Sequence, residues 1–153
     1  MADEAVIIEL LGNPKGEPLR FTCADAIGIE KGTLLRMVDP RTVTAAKLLS
    51  VSTAWGNRPF AGIANSEKVA SDGQVTIGVW TKGIFDIKFS GAATLPQVGE
   101  AISLSGGNMC GIAHRILKDI SGAKFWTSGA IVGRALETGG AQETIAVAVG
   151  MYI

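Results

Sequence analysis

Val75-Thr76-Ile77-Gly78-Val79-Trp80-Thr81-Lys82-Gly83-Ile84-Phe85-Asp86-Ile87-Lys88-Phe89 is the stretch on which the fold of this chain turns. Val75, Ile77, Val79, Thr81, Gly83, Phe85, Ile87 and Phe89 share one face, and Thr76, Gly78, Trp80, Lys82, Ile84, Asp86 and Lys88 share the other. This period-two alternation specifies a half-buried β-strand and excludes an amphipathic helix. The run exceeds the usual strand length of up to ~10 residues, so a bend or break is predicted at Gly83, where a missing side chain permits a bulge or corner. Trp80 and Ile84 are large apolar residues on the otherwise polar face. Either a loop of the same chain covers them or they lie in a subunit contact.

The segments that lead into this strand occur twice. Lys31-Gly32-Thr33-Leu34-Leu35-Arg36-Met37 is echoed by Val98-Gly99-Glu100-Ala101-Ile102-Ser103-Leu104, and Phe60-Ala61-Gly62-Ile63-Ala64 by Ile131-Val132-Gly133-Arg134-Ala135. An alternating strand follows each time; in the second copy it places Ile145, Val147, Val149, Met151 and Ile153 on one face and Ala146, Ala148, Gly150 and Tyr152 on the other. Two copies are too few to stack as a solenoid, so they are expected to face each other and close one core. The predicted fold is therefore mainly β: a single compact domain of two duplicated units, about residues 20–90 and 91–153, closing a barrel-like core of β-tulip or β-clip type. The second copy carries roughly four more residues between matching strands than the first. That excess is placed at residues 114–126, opposite the long segment 41–59 of the first copy.

Residues 1–19 differ in character. The apolar patch Val6-Ile7-Ile8-Glu9-Leu10-Leu11 precedes Gly12-Asn13-Pro14-Lys15-Gly16-Glu17-Pro18. The prolines stop any helix there. The segment reads as an extended N-terminal arm tied loosely to the domain, or as an ordinary first strand and turn. In the arm reading, Val6, Ile7, Ile8, Leu10 and Leu11 are the residues offered to a partner surface.

Bulk composition narrows the function. At 153 residues one well-buried domain is expected. Lys plus Arg and Asp plus Glu are 14 each, so no net field draws in nucleic acid or an anionic membrane. Twenty glycines, 18% charged residues and 47% hydrophobic residues describe a tightly turned β protein with more apolar surface than a lone monomer needs, which favours self-association or docking. The acidic start Met1-Ala2-Asp3-Glu4 lacks the basic character of a secretory signal, and the apolar run Ile145 to Ile153 is about half of the ~20 residues a membrane helix needs. Cys23 and Cys110, far apart, form neither a metal motif nor a disulfide signature, in keeping with synthesis in a reducing cytoplasm.

The residues that could carry chemistry are few. His114 is the single histidine, and in the internal alignment it falls opposite Lys47, a match that suits a solvated surface position. Cys110 falls opposite Val43, which suits a small buried hydrophobe. A Cys110–His114 dyad is the sharpest enzymatic reading, and Gly111 between them in a strand-like context argues against it. Ser105-Gly106-Gly107-Asn108 lacks the Gly-Lys-Ser/Thr ending of a phosphate loop and reads as a hairpin turn. Neither a metal site nor a cofactor site is expected. Trp55, Trp80 and Trp126 could stack on a ligand, or could pack symmetrically in an oligomer interface, since Trp55 and Trp126 fall in matching segments of the two copies.

Laid out in order, Gly32-Thr33-Leu34-Leu35, then Pro59-Phe60-Ala61-Gly62-Ile63-Ala64 with Glu67-Lys68, then the strand entering Gly83-Ile84-Phe85-Asp86, resembles the capsid decoration, or cement, proteins of tailed-phage heads. The second half fits as well, through Val98-Gly99-Glu100-Ala101-Ile102, Ile131 to Glu137 and the closing strand Thr144 to Val149. The resemblance covers roughly residues 20–152 and rests on the order and spacing of short glycine and aliphatic motifs. It implies a mostly β homotrimer bound to the major capsid protein on the outer surface of the mature icosahedral head, at three-fold and quasi-three-fold positions, with the N-terminal arm running onto the capsid. In that setting Trp80, Ile84, Trp55 and Trp126 are candidates for the trimer interface. Two readings from other classes compete: a β-clip-type carbohydrate or small-ligand binding module with Trp55 or Trp126 as platform, and a cysteine hydrolase using Cys110 and His114.

Overall fold

A computed structural model describes residues 4–9, 18–46, 59–89, 96–104, 108, 110–112, 131–140 and 143–150. The architecture is mainly β and barrel-like. Among the described residues, eleven strands run in the order β1 (Val6–Glu9), β2 (Leu19–Cys23), β3 (Leu34–Asp39), β4 (Thr42–Ala45), β5 (Phe60–Ala64), β6 (Thr76–Trp80), β7 (Gly83–Lys88), β8 (Ala101–Leu104), β9 (Cys110–Ile112), β10 (Ile131–Ala135) and β11 (Thr144–Val149). Strands β2-β4-β3-β5-β6 form a closed barrel, and β1-β7-β11-β10-β8-β9 form a six-stranded sheet.

The long alternating stretch does break, at Thr81 and Lys82, immediately before Gly83, whose φ of 155° lies in the region that disfavours side-chain-bearing residues. Its halves serve different sheets: β6 closes the first barrel, whereas β7 pairs with β11 in the second sheet.

The two copies are built on one register. Leu35 faces Gly62 and Arg36 faces Phe60, with a bulge between; Ile102 faces Gly133 and Ser103 faces Ile131, with a bulge at the same place. Gly32 N donates to Ala64 O at 2.9 Å and Gly99 N to Ala135 O at 2.8 Å. Asn65 N donates to Gly78 O, and Leu136 N to Ala146 O. The glycine at the centre of each copy is required by close approach: a Cβ on Gly62 would strike the carbonyl of Trp80 at 2.5 Å, and one on Gly133 would overlap the carbonyl of Ala148.

Closure is also repeated. In the first barrel β2 returns to β4 in parallel, Cys23 opposite Val43. In the second unit an isolated parallel bridge joins Phe89, at the end of β7, to Cys110 on β9, so the sheet nearly closes into a second barrel. This corrects the expectation that the copies share one core. Cys23, Ile29, Leu35, Val43, Ala64, Ile77 and Val79 fill the first barrel. Phe85, Ile87, Phe89, Ile102, Val132, Ile145, Val147 and Val149 fill the second, and that cluster extends onto Leu34 and Ile63. Alternation explains the extension: Leu35 and Ala64 point into the first barrel, so their neighbours Leu34 and Ile63 point out of it and cover the second. At the matching outward positions of the second copy stand Ala101 and Arg134, and Arg134 is exposed. At these two positions the apolar outer wall belongs to the first copy.

Candidate assembly surface

Part of the N-terminal arm is a strand. Val6 faces Asp86 and Ile7 faces Phe85 on the free edge of β7, and the register shifts before Glu9 meets Ile84. Ala5 is buried, its N–H donates to Gly32 O at 3.0 Å, and Gly32 (φ 79°) leaves room where a Cβ would overlap the Glu4 side chain. Residues 4–9 are thus held by the domain and are not a loose arm, because β7 has an unpaired edge beside an apolar core and Ile7 packs on that core. Val6 points the other way and is half exposed. Leu10 and Leu11 lie outside the described residues.

On that outward face Val6 neighbours the half-buried Ile84 and Asp86. Further aliphatics are exposed at Leu19, Val69, Val75 and Val98, the last at 66%. Trp80 is half-buried, and its indole packs against the second core with its ring centroid 5.7 Å from that of Phe85 at a tilt of 46°. Trp55, Trp126, His114 and Lys47 lie outside the described residues.

Cys110 sits where the internal alignment places it: Leu104 faces Cys110 as Met37 faces Val43. Its thiol is fully buried, lies 3.5 Å from Lys88 O as a donor, and is pushed up to about 12 by desolvation. A thiol held in its protonated form is a poor nucleophile at neutral pH. Burial likewise raises the Cys23 thiol, against a smaller opposing pull from Lys68.

Two polar side chains matter structurally that nothing in the sequence pattern singles out. Lys68 is buried, and its ammonium donates to the carbonyls of Asp25 at 2.8 Å, Ile27 at 3.0 Å and Val69 at 3.2 Å, with Asp72 at 3.8 Å. It ties the turn after β2 to the loop before β6. Asn108 joins the second unit to the first barrel through bonds to Leu34 N and Gly32 O. Among the described residues no group of three or more His, Cys, Asp or Glu side chains is placed to hold a metal ion, and no helix is long and apolar enough to cross a membrane. Compared with models of known protein families and with curated protein sequences, the chain matches none.

Proposed function

We propose that this chain is a non-enzymatic capsid decoration protein, a homotrimer that binds the major capsid protein on the outside of a mature icosahedral head and stabilises the shell. The observation that supports the reading is the short apolar strand β1 paired on the edge of β7, with the exposed Val6 and the half-buried Ile84 on the outward face. A strand held this way can exchange its edge for one on a capsid protein, by strand addition that conserves the backbone hydrogen bonds. The closed barrel and the second sheet, packed on each other through Leu34 and Ile63, supply the frame that carries β1. Stabilisation follows from mass action: a ligand that binds only the assembled lattice adds its binding free energy to the lattice, once per copy.

Sedimentation equilibrium of the full chain tests the assembly half of the proposal. Three chains per particle are expected at high concentration, and Ile84→Asp should shift the distribution toward monomer by placing a charge in the contact. A chain that stays monomeric both in solution and on heads would overturn it.

A further inference from the structure

On the outer face of the first barrel, the side chains of Arg20, Asn65, Ser66, Gln74 and Thr76 stand around a bare floor at Gly78 and enclose a partly open cleft of about 350 Å³. Arg20 and Gly78 are direct partners across β2 and β6. The floor is tight, since a Cβ on Gly78 would stand 3.2 Å from Asn65 Oδ1 and 3.3 Å from Pro18 Cγ. One wall is fixed by the bond from Asn65 N to Gly78 O at 2.9 Å, and another by Gln74 Nε2 donating to Thr76 O at 2.7 Å. The Arg20 carbonyl is occupied by Arg41 Nη2 at 3.0 Å, but the Arg20 guanidinium, the Asn65 amide and the hydroxyls of Ser66 and Thr76 make no hydrogen bond among the described residues. Among the described residues, no carboxylate and no aromatic ring lines the cleft.

The duplication supplies an internal control. The matching positions of the second copy are Asp86 for Arg20, Ala146 for Gly78, Leu136 for Asn65 and Glu137 for Ser66. There a methyl group stands on the floor, the charge is reversed, and the Glu137 carboxylate accepts from Ala146 N at 2.8 Å. The cleft is therefore a property of one copy, and the fold does not demand it.

We propose that this cleft binds the carboxylate-bearing end residue of an acidic saccharide, a uronate-type sugar. The guanidinium matches a carboxylate in two parallel hydrogen bonds, and the amides and hydroxyls on the other walls match a ring's hydroxyl groups as mixed donors and acceptors. The volume lies at the small end of ligand sites and takes a single sugar ring, while the open side lets the rest of a chain leave. Among the described lining residues there is one cation and no aromatic ring, a set that suits a carboxylate-bearing sugar better than a neutral sugar stacked on an aromatic platform. The inference does not rest on the capsid reading; on a decorated particle, many weak sites would act together.

Titration of the full ¹⁵N-labelled chain with glucuronate tests it. Saturable shift changes are expected at Arg20, Asn65, Ser66 and Gly78, with affinity at least about tenfold higher than for glucose and reduced about tenfold or more by Arg20→Gln. Arg20 is exposed, so its replacement leaves the fold intact, and Gly78→Ala should block the floor independently. Absence of saturation up to roughly 50 mM, glucose binding as well as glucuronate, inorganic phosphate competing as tightly, or an unaffected Arg20→Gln would each overturn the proposal.

Discussion

Asn108, on the turn of the second copy's hairpin, accepts a 2.7 Å hydrogen bond from the backbone N–H of Leu34, the first residue of β3 in the first copy. The same side chain donates to Gly32 O at 3.1 Å, and Asn108 is buried. Its counterpart in the first copy, Arg41, also reaches across to a backbone carbonyl, that of Arg20. The hairpin tip has thus been put to the same kind of use twice, once within a barrel and once between barrels.

Asn108→Ala should destabilise the chain by about 1–3 kcal/mol, because the Leu34 N–H is left buried without an acceptor while Gly32 O keeps its bond from Ala5 N. Urea denaturation reads this directly. Asn108→Asp should fare worse, since it restores the acceptor but buries a charge beside the Gly32 carbonyl.

Cys110→Val should keep the fold, since Val43 occupies the equivalent place in the first barrel. It should also flatten the alkaline limb of the stability profile. The folded thiol ionises only near pH 12 and the unfolded one near 9, so between them the unfolded state has lost a proton that the native state retains. Stability then falls as pH rises, by about 1.4 kcal/mol per pH unit from this group, and the full contribution is present only below the unfolded value. Equal alkaline slopes in the parent and Cys110→Val would refute the assignment.

Trp80→Ala and Ile84→Asp should separate folding from assembly. The indole packs beside Phe85 against the second core, so its loss should cost about 2–4 kcal/mol of stability. Ile84 is half-buried beside β1, and its replacement should act mainly on association. A Trp80→Ala variant of unchanged stability would place the indole elsewhere.

Removing residues 1–9 should leave a folded domain, destabilised by about 1–3 kcal/mol through loss of the Ala5 and Ile7 contacts, that binds heads poorly. Amide exchange on the intact chain should show the N–H groups of β1 less protected than those of β10 and β11, which lie inside their sheet. Protection of β1 equal to that of β10 would mean it does not exchange edges.

Much of the fold was legible because its signals are periodic or repeated. The alternation at Val75–Phe89, the paired glycines Gly62 and Gly133, and the match of Cys110 to Val43 all follow from backbone geometry that residue type reveals. Which sheet each half of that alternation would join was not legible, because both halves carry the same pattern and only the turn at Thr81–Lys82 separates them. The alternation alone did not place Trp80, because a residue on the outer face of the first barrel also packs in part against the second core. Lys68, Asn108 and the cleft at Arg20 depend on partners distant in sequence, and a lysine beside a glutamate or an asparagine in a turn carries no mark of burial.

The central claim is tested most directly by counting this chain against the major capsid protein in particles purified to constant composition from cells in which the virus assembles. Occupation of all three-fold and quasi-three-fold positions by trimers predicts close to one copy per capsid-protein chain, reduced several-fold when residues 1–9 are absent. Particles that contain none of it, or only a few copies per head, would contradict the account.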